Sequence, residues 1–392
     1  MHSSSALASV AVERRLVLTL WCAGLSAFSA MYAPQGLLPQ IAGDLAVDPS
    51  RAALLISATT LGLAVSVLPW AWFADRSGLR TAMRIAAGAA AVCAVAVPFL
   101  PSFETMLAGR LLHGAALGGI PALAMTLSHD VAPPRRAATV TASYVAATTI
   151  GGLGGRLLVV PAADHFGWRT GLFVLGAVVA VLMTAMIGLI PEPAGRRAGT
   201  GTLALIGAHL RNRALWPILV AGLLLSGAVM TVFNYLPFRL TAAPYGLEPT
   251  VVSLVFLTYL GGTAGSRSAG WLGGRFGPAT VLSVAAALVA VGAAVTVSRP
   301  LLVVVAGVAV LATGFFLGHA VASSMVAARA PHGRSQATAL YTIGYYIGSS
   351  LFGWLGGLMW SGGQWLPVAA LVVALAVLAC VFTALAGRPE VR

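Results

Sequence analysis

Runs of about twenty apolar residues, separated by short segments that hold nearly all the charge, recur along the whole 392-residue chain. That pattern constrains the fold more than any other feature. A segment of about 20 apolar residues is what a helix needs to cross a bilayer, and inside hydrocarbon a helix is one of only two ways to satisfy the backbone. Hydrophobic residues make up 59% of the chain and charged residues 8%, with a mean hydropathy of +0.92, whereas a soluble domain carries about 25% charged residues. The bilayer is therefore the solvent, and the fold class is all-α membrane protein. Twelve transmembrane helices are predicted, at about 16–38, 51–73, 81–100, 105–128, 138–161, 168–190, 215–239, 250–272, 279–298, 301–328, 335–359 and 365–387. Only Pro101–Glu104 separates the third from the fourth, and little more than Arg299-Pro300 separates the ninth from the tenth. The count of twelve therefore leans on an internal repeat.

The net charge of +13 comes entirely from arginine, scattered singly or in pairs between the apolar runs. A nucleic-acid binder needs a basic face interleaved with aromatics, and no such face is present. The charge follows the positive-inside bias instead. With the N-terminus inside, sixteen of the 23 arginines face the cytoplasm, among them Arg14, Arg76, Arg135, Arg196, Arg197, Arg275, Arg334, Arg388 and Arg392. Arg51, Arg169, Arg239 and Arg299 fall outside or at the outer edge. Both termini are expected to be cytoplasmic. The first apolar run continues to about Leu38, too long for the core of a signal peptide, and is expected to remain as a spanning helix. Cys22, Cys93 and Cys380 lie inside apolar segments without metal-ligand spacing, and are expected to be small buried hydrophobes.

The chain repeats itself at about half its length. Trp72-Phe73-Ala74-Asp75-Arg76-Ser77-Gly78 returns as Trp271-Leu272-Gly273-Gly274-Arg275-Phe276-Gly277. Ala132-Pro133 with Arg136 returns as Ala330-Pro331 with Arg334, and Met31-Tyr32-Ala33-Pro34 resembles Asn234-Tyr235-Leu236-Pro237. These matches occur in one order and divide the chain into an N-terminal six-helix bundle, 1–190, and a C-terminal one, 215–392. Between them lies a polar cytoplasmic linker, 191–214, with Pro191, Pro193 and Gly195. Gly78 and Gly277 mark tight connections where a side chain would clash.

Asp75-Arg76-Ser77-Gly78-Leu79-Arg80 resembles the G-x-L-a-D-R-x-G-R signature that the major facilitator superfamily carries between its second and third helices. Ala71 stands in place of the first Gly, Phe73 in place of Leu, and the final basic residue is shifted by one. Arg110-Leu111-Leu112-His113-Gly114 is similar to the R-x-x-x-G element of that family's fourth helix. Gly154-Gly155 matches the close of the G-P-x-x-G-G element of its drug exporters, with Ile150-Gly151 in place of Gly-Pro. The resemblance covers almost the whole chain and is closest to twelve-helix drug and metabolite exporters, including the subgroup linked to acriflavin sensitivity. It implies two pseudo-symmetric bundles, cargo near the midplane, and a cytoplasmic latch made by Asp75, Arg76, Gly78, Arg80, Asp130 and Gly277. In that latch Asp130 completes the cluster with Arg76 or Arg80, and the partner is the start of helix 11 near Ser335.

Charges at membrane depth are costly and usually functional. Those predicted there are Arg110 and His113 on the fourth helix, Arg156 on the fifth, Arg267 on the eighth and His319 on the tenth. Arg110 and His113 are three apart and share a face, which meets Tyr32 and Gln35 if the first and fourth helices line the cavity. The alternative for Arg110 is an arginine bonded to backbone carbonyls between helices. Arg267 can snorkel, and a lone His319 can be a satisfied packing residue. Asn234 and Tyr235, with Tyr345 between Tyr341 and Tyr346 on the eleventh helix, supply neutral contacts on the other half, or form part of an interfacial aromatic belt. The helix-five glycines serve close packing in either case.

All ten acidic residues fall at loops or helix ends, so no midplane carboxylate is available for proton coupling. Histidine titrates in the right range, which leaves His113 and His319 as candidates. The positive cavity equally suits an anionic cargo. The expected function is proton-coupled efflux of a small organic molecule or drug by alternating access, with exchange or uptake of a small organic anion as the alternative. No H-E-x-x-H, G-x-S-x-G or nucleotide-binding loop is present, so the chain is expected to be no enzyme and to need no cofactor and no metal. Its partners are expected to be a small-molecule substrate, protons and the lipid bilayer, with no nucleic acid. The expected form is a monomer, multi-pass in a bacterial inner (plasma) membrane.

Overall fold

The computed structural model describes residues 2–133, 135–192, 202–330 and 332–386. Pro193, Gly195, Arg196 and Arg197 of the linker, Pro331 of the repeat, Arg388 and Arg392 near the C-terminus, and the Ser335 side chain lie outside them. Every regular element described is helical. In the first half these are α1 (His2–Tyr32), a 3-10 turn (Ala33–Leu37), α2 (Leu38–Asp44), α3 (Pro49–Ser77), α4 (Leu79–Ala96), α5 (Phe103–Leu117), α6 (Pro121–Val131), α7 (Ala137–Phe166) and α8 (Trp168–Leu189). A 3-10 turn (Val97–Phe99) follows α4, and then come α9 (Thr202–Arg211), α10 (Trp216–Thr241), α11 (Pro249–Ser253) with a third 3-10 turn (Leu254–Thr258), and α12 (Tyr259–Phe276). The last four are α13 (Pro278–Val295), α14 (Leu301–Arg329), α15 (Arg334–Gly363) and α16 (Trp365–Ala386).

Among the described residues, ten helical segments are long and apolar enough to cross a membrane. α12 and α15, where the eighth and eleventh spans are expected, are not among those ten. Their sequences explain it. α12 mixes Ser266, Arg267, Ser268 and Arg275 with glycines, and α15 carries Arg334, Gln336, Thr338, Thr342, Ser349 and Ser350. Three expected helices are also interrupted. Pro34 has no N–H to continue α1, so the chain tightens into the 3-10 turn before α2. Gly118, Gly119 and Ile120 part α5 from α6 just ahead of Pro121, and the eighth predicted span starts as α11 and a 3-10 turn before α12.

Two compact units emerge. One comprises Met1–Leu37 and Ala58–Ala198, the other Leu38–Ser57 and Gly199–Arg392. The short Leu38–Ser57 segment thus packs with the later part of the chain. In the first unit α1 meets α7 backbone to backbone. A Cβ on Gly155 would come within 2.7 Å of Ser29 Cα, and one on Gly151 within 2.5 Å of the Leu25 carbonyl oxygen. In the second unit α15 meets α10 in the same way, because a Cβ on Gly348 would run into the Leu223 carbonyl.

The repeated turn is reproduced in backbone detail. Gly78 has φ 89° and ψ 143°, Gly277 has φ 86° and ψ 140°, and each precedes a helix whose first turn has no side-chain cap. A third copy sits at Gly167, with φ 83° and ψ 152°, between α7 and α8. Such φ values lie where L side chains rarely go. The same turn geometry thus occurs twice within the first part of the chain and once in the later part.

Candidate functional site

The interruption of α1 creates the polar centre of the first unit. Pro34 offers no N–H to the carbonyl of Ala30, four residues earlier, and the switch to 3-10 geometry loosens the next one. Arg110 of α5 takes up both: Nη1 donates to the Ala30 carbonyl at 3.1 Å and Nη2 to the Met31 carbonyl at 2.7 Å. The guanidinium is buried, 4% exposed. One turn on, His113 is 2% exposed and presents Nδ1 to Arg110 Nη1 at 3.4 Å. An arginine N–H can only donate. Nδ1 is therefore the acceptor, and the neutral ring carries its hydrogen on Nε2. That Nε2 is buried and meets no acceptor among the described residues.

Arg156 of α7 closes the cluster. Its Nε donates to Gln35 Oε1 at 2.7 Å, its Nη1 to the Gly152 carbonyl at 2.6 Å, and its guanidinium carbon lies 4.3 Å from the centre of the Tyr32 ring. Arg156 is 1% exposed, one of the most deeply buried large side chains in the protein. A Cβ at Gly152 would make only ordinary contact with the guanidinium, 3.5 Å from Nη1. Tyr32, Gln35, Arg110, His113 and Arg156 are thus gathered on α1, its 3-10 extension, α5 and α7. No carboxylate stands among them: Glu104 opens α5 and Asp164 ends α7.

In the second unit polar groups are set among rings. His319 Nδ1 lies 3.0 Å from the Tyr341 hydroxyl of α15. Phe315, one turn before it on α14, stacks on the imidazole at 6.0 Å, and Tyr345 meets it edge-on at 5.2 Å. The rings continue through Phe316 to Tyr259 of α12, then to Phe233 of α10 and Phe256. Asn234 lies against Gly353, and the Tyr235 hydroxyl donates to the Gly353 carbonyl at 2.8 Å. Tyr235 also stacks on Trp360. The repeat makes Tyr32 and Tyr235 equivalent in sequence, yet Tyr32 supports a cation and Tyr235 ties two helices. Tyr259, which carries the rings on to α10, is not among the residues that the sequence singles out. Its signal there is a tyrosine in a run of apolar and small residues, with its ring partners on other helices.

The charged turn has partners of its own. Arg80 pairs with Glu192 at 2.5 Å, and Arg76 lies over the Trp72 ring at 3.9 Å. The expected pairing of Asp130 with Arg76 or Arg80 is not found among the described residues. Arg80 is drawn to Glu192, three residues beyond the end of α8, and Arg76 is turned back along its own helix. Arg275 lies over Trp271 at 5.7 Å, so both copies of the repeat keep an arginine four residues after a tryptophan. Arg267 of α12 is exposed, while the three cysteines are half-buried rather than buried and stand free. Among the described residues no group of His, Cys, Asp or Glu could hold a metal ion.

A helical protein with ten candidate spans and guanidinium groups sealed among them is built as a multi-pass membrane transporter. The chain belongs to the major facilitator superfamily, whose model matches residues 20–266. An uncharacterized transporter of that type from Bacillus subtilis, YybF, is 34% identical over 368 residues, covering 92% of this chain and 90% of that one. The inner membrane transport protein YnfM of Escherichia coli is 31% identical, covering 93% and 88%. The nucleoside transporter NupG shares the fold with a TM-score of 0.77 at 16% identity, covering 95% of this chain and all of its own. Family and neighbours alike are transporters.

Proposed function

We propose that this protein exports a small organic anion in exchange for protons, by alternating access between two six-helix halves, 1–190 and 215–392, joined by a cytoplasmic linker at 191–214. In this reading twelve helices span a bacterial inner membrane, both termini are cytoplasmic and the protein works as a monomer. The observation that carries the cargo class is the orphaned Nε2–H of His113, whose ring is held by the buried Arg110. A buried donor without an acceptor is costly, and an anionic oxygen is the partner that both a donor and a cationic setting favour. Arg156, positioned by Gln35 and Tyr32, is the second contact. In the other half, Asn234, Tyr235, His319 and Tyr345 supply neutral and aromatic contacts. Asp75, Arg76, Gly78, Arg80, Asp130 and Gly277 form the cytoplasmic latch. The export direction rests on Gly154-Gly155, which resemble the close of the exporters' element; Gly155 packs α7 against α1 at Ser29.

The test is transport by purified protein in liposomes. Malate, phthalate, glucuronate and the lipophilic cation tetraphenylphosphonium are offered in turn, with a pH-sensitive dye inside. Transport of at least one of the acids with linked proton movement is expected, and Arg156→Ala is expected to abolish it. Transport of the cation alone would overturn the cargo class. The same acid accumulating inside right-side-out vesicles, with protons moving alongside it, would favour the second reading, uptake of that anion.

A further inference from the structure

We infer that His319, and not His113, is the group that binds the coupled proton; this rests on the reading of proton coupling above. Among the described residues the carboxylates of the spanning helices stand near the helix ends, so the choice lies between the two imidazoles placed well inside them, His113 and His319. They are held very differently. In His113, Nδ1 already accepts from Arg110 at 3.4 Å. A second proton there would break that contact and set two cations side by side, which a low-dielectric interior penalises.

His319 has the opposite surroundings. It lies well inside α14, partly buried, and Nδ1 faces the Tyr341 hydroxyl at 3.0 Å. A hydroxyl can accept from Nδ1–H as well as donate. In the proposed cycle Nδ1–H donates to the Tyr341 oxygen, and the Nε2 lone pair takes one proton from one side and releases it to the other. Nε2 has no hydrogen-bond partner among the described residues, so that lone pair is open. The resulting imidazolium lies against the face of Phe315, with ring centres 6.0 Å apart, an arrangement that favours a cation through the ring quadrupole.

Among the described residues no other charge is shown against the imidazole. α13 contributes no titratable side chain; α15 presents Tyr341 and Tyr345, its Tyr346 packs on Tyr345, and its Arg334 is exposed at the helix start. Arg239 of α10 is held by the Thr296 and Ser298 carbonyls, and Tyr235 by that of Gly353. On α12, Tyr259 is screened from His319 by Phe316, Arg275 lies over Trp271, and Arg267 is exposed. Arg329, on α14 itself, donates to the Ala214 carbonyl at 3.2 Å. A polar ring within an apolar helix is costly and usually functional, and this one is satisfied on one nitrogen alone.

The experiment measures proton movement per phthalate in proteoliposomes, together with the pH profile of phthalate counterflow. In His319→Gln the proton-to-phthalate ratio is expected to fall at least tenfold. The remaining counterflow should lose its pH dependence between about pH 5 and 8. His113→Gln should weaken phthalate binding and leave the shape of the pH profile in place. If His319→Gln does not fold, Tyr341→Phe, which keeps the ring and removes the oxygen, is expected to move the profile to lower pH. A wild-type ratio in His319→Gln, an unmoved profile in Tyr341→Phe, or a flat profile in His113→Gln alone would overturn the inference and leave anion transport standing. Wild-type protein that moves the acids without protons would overturn the inference together with the coupling. Wild-type protein that moves only tetraphenylphosphonium would overturn the cargo class above; the His319→Gln ratio, read with that cation, would then decide the inference.

Discussion

The two units settle their buried polar groups by different means. In the first, a helix is broken so that backbone carbonyls become available, and arginines from α5 and α7 are fixed on them and on Gln35. In the second, α10 and α14 run unbroken, and polar side chains find each other or a ring: His319 with Tyr341, Tyr235 with the Gly353 carbonyl. The difference has a physical origin. A guanidinium has five N–H donors in a rigid fork and no way to shed its charge, so it needs several fixed oxygens around it. An imidazole needs one partner and can change its charge. The first unit is therefore suited to hold a constant positive field, and the second to gain and lose a proton.

The comparison breaks most severely at Arg110. Arg110→Ala removes the donors to Ala30 and Met31 and leaves their carbonyls buried, at about 1–3 kcal/mol each. It also removes the contact that fixes the His113 tautomer. The expected result is the largest loss of thermal stability among these variants, together with loss of anion transport. Arg110→Lys should recover part of the stability and little of the transport, because an ammonium cannot reproduce the fork. Melting curves with parallel transport assays check both. Unchanged stability in Arg110→Ala would show that the broken helix does not depend on the arginine.

A smaller effect sharpens the second unit's side. Gly348 and Gly344 are one turn apart on α15, and only one of them is in close contact. A Cβ at Gly348 would collide with the Leu223 carbonyl, whereas at Gly344 the nearest atom is 3.9 Å away. Gly348→Val should cost about 1–3 kcal/mol, as overpacking does. Gly344→Ala should be near neutral. Equal costs measured by thermal melting would mean that α10 and α15 are not held by this approach.

How far the sequence could foretell these features depends on the reach of each interaction. Gly78 and Gly277 are legible because a turn with positive φ is a local demand, and the same logic would have found Gly167 after Phe166. The Trp72–Arg76 and Trp271–Arg275 pairs are legible in principle, since four-residue spacing places them on one face. Grouping Arg110 and His113 with Tyr32 and Gln35 was within reach through helical spacing and the family resemblance. The role of Pro34 was not. It depends on which carbonyls the broken helix exposes and on α5 lying against them. The ring cluster around His319 draws on α10, α12, α14 and α15, and no sequence spacing links residues 259, 319 and 341. Arg80 turned to Glu192 for a similar reason, because that residue lies 112 residues away along the chain.

The smallest expected effect concerns the segment that packs with the second unit although it belongs to the first part of the chain. Asp48 stands just before α3, outside the spans. Its Oδ1 accepts from Ser50 Oγ at 2.5 Å, Ser50 N at 2.9 Å and Arg51 N at 3.0 Å. These bonds, led by the Ser50 hydroxyl, hold the carboxyl below the usual carboxylate range. A depressed value in the folded state means that the stabilisation is fully present above about pH 4, the ordinary value, and is lost as pH falls through the lower, folded one. Asp48→Ala should cost about 1 kcal/mol at neutral pH, as losing a helix cap does. Asp48→Asn retains an accepting oxygen, so it should cost less and remove the acid dependence. Melting temperatures at neutral pH and near pH 3 compare the two variants. If the wild type and Asp48→Asn lose stability in parallel on acidification, the cap is not what couples this segment to pH.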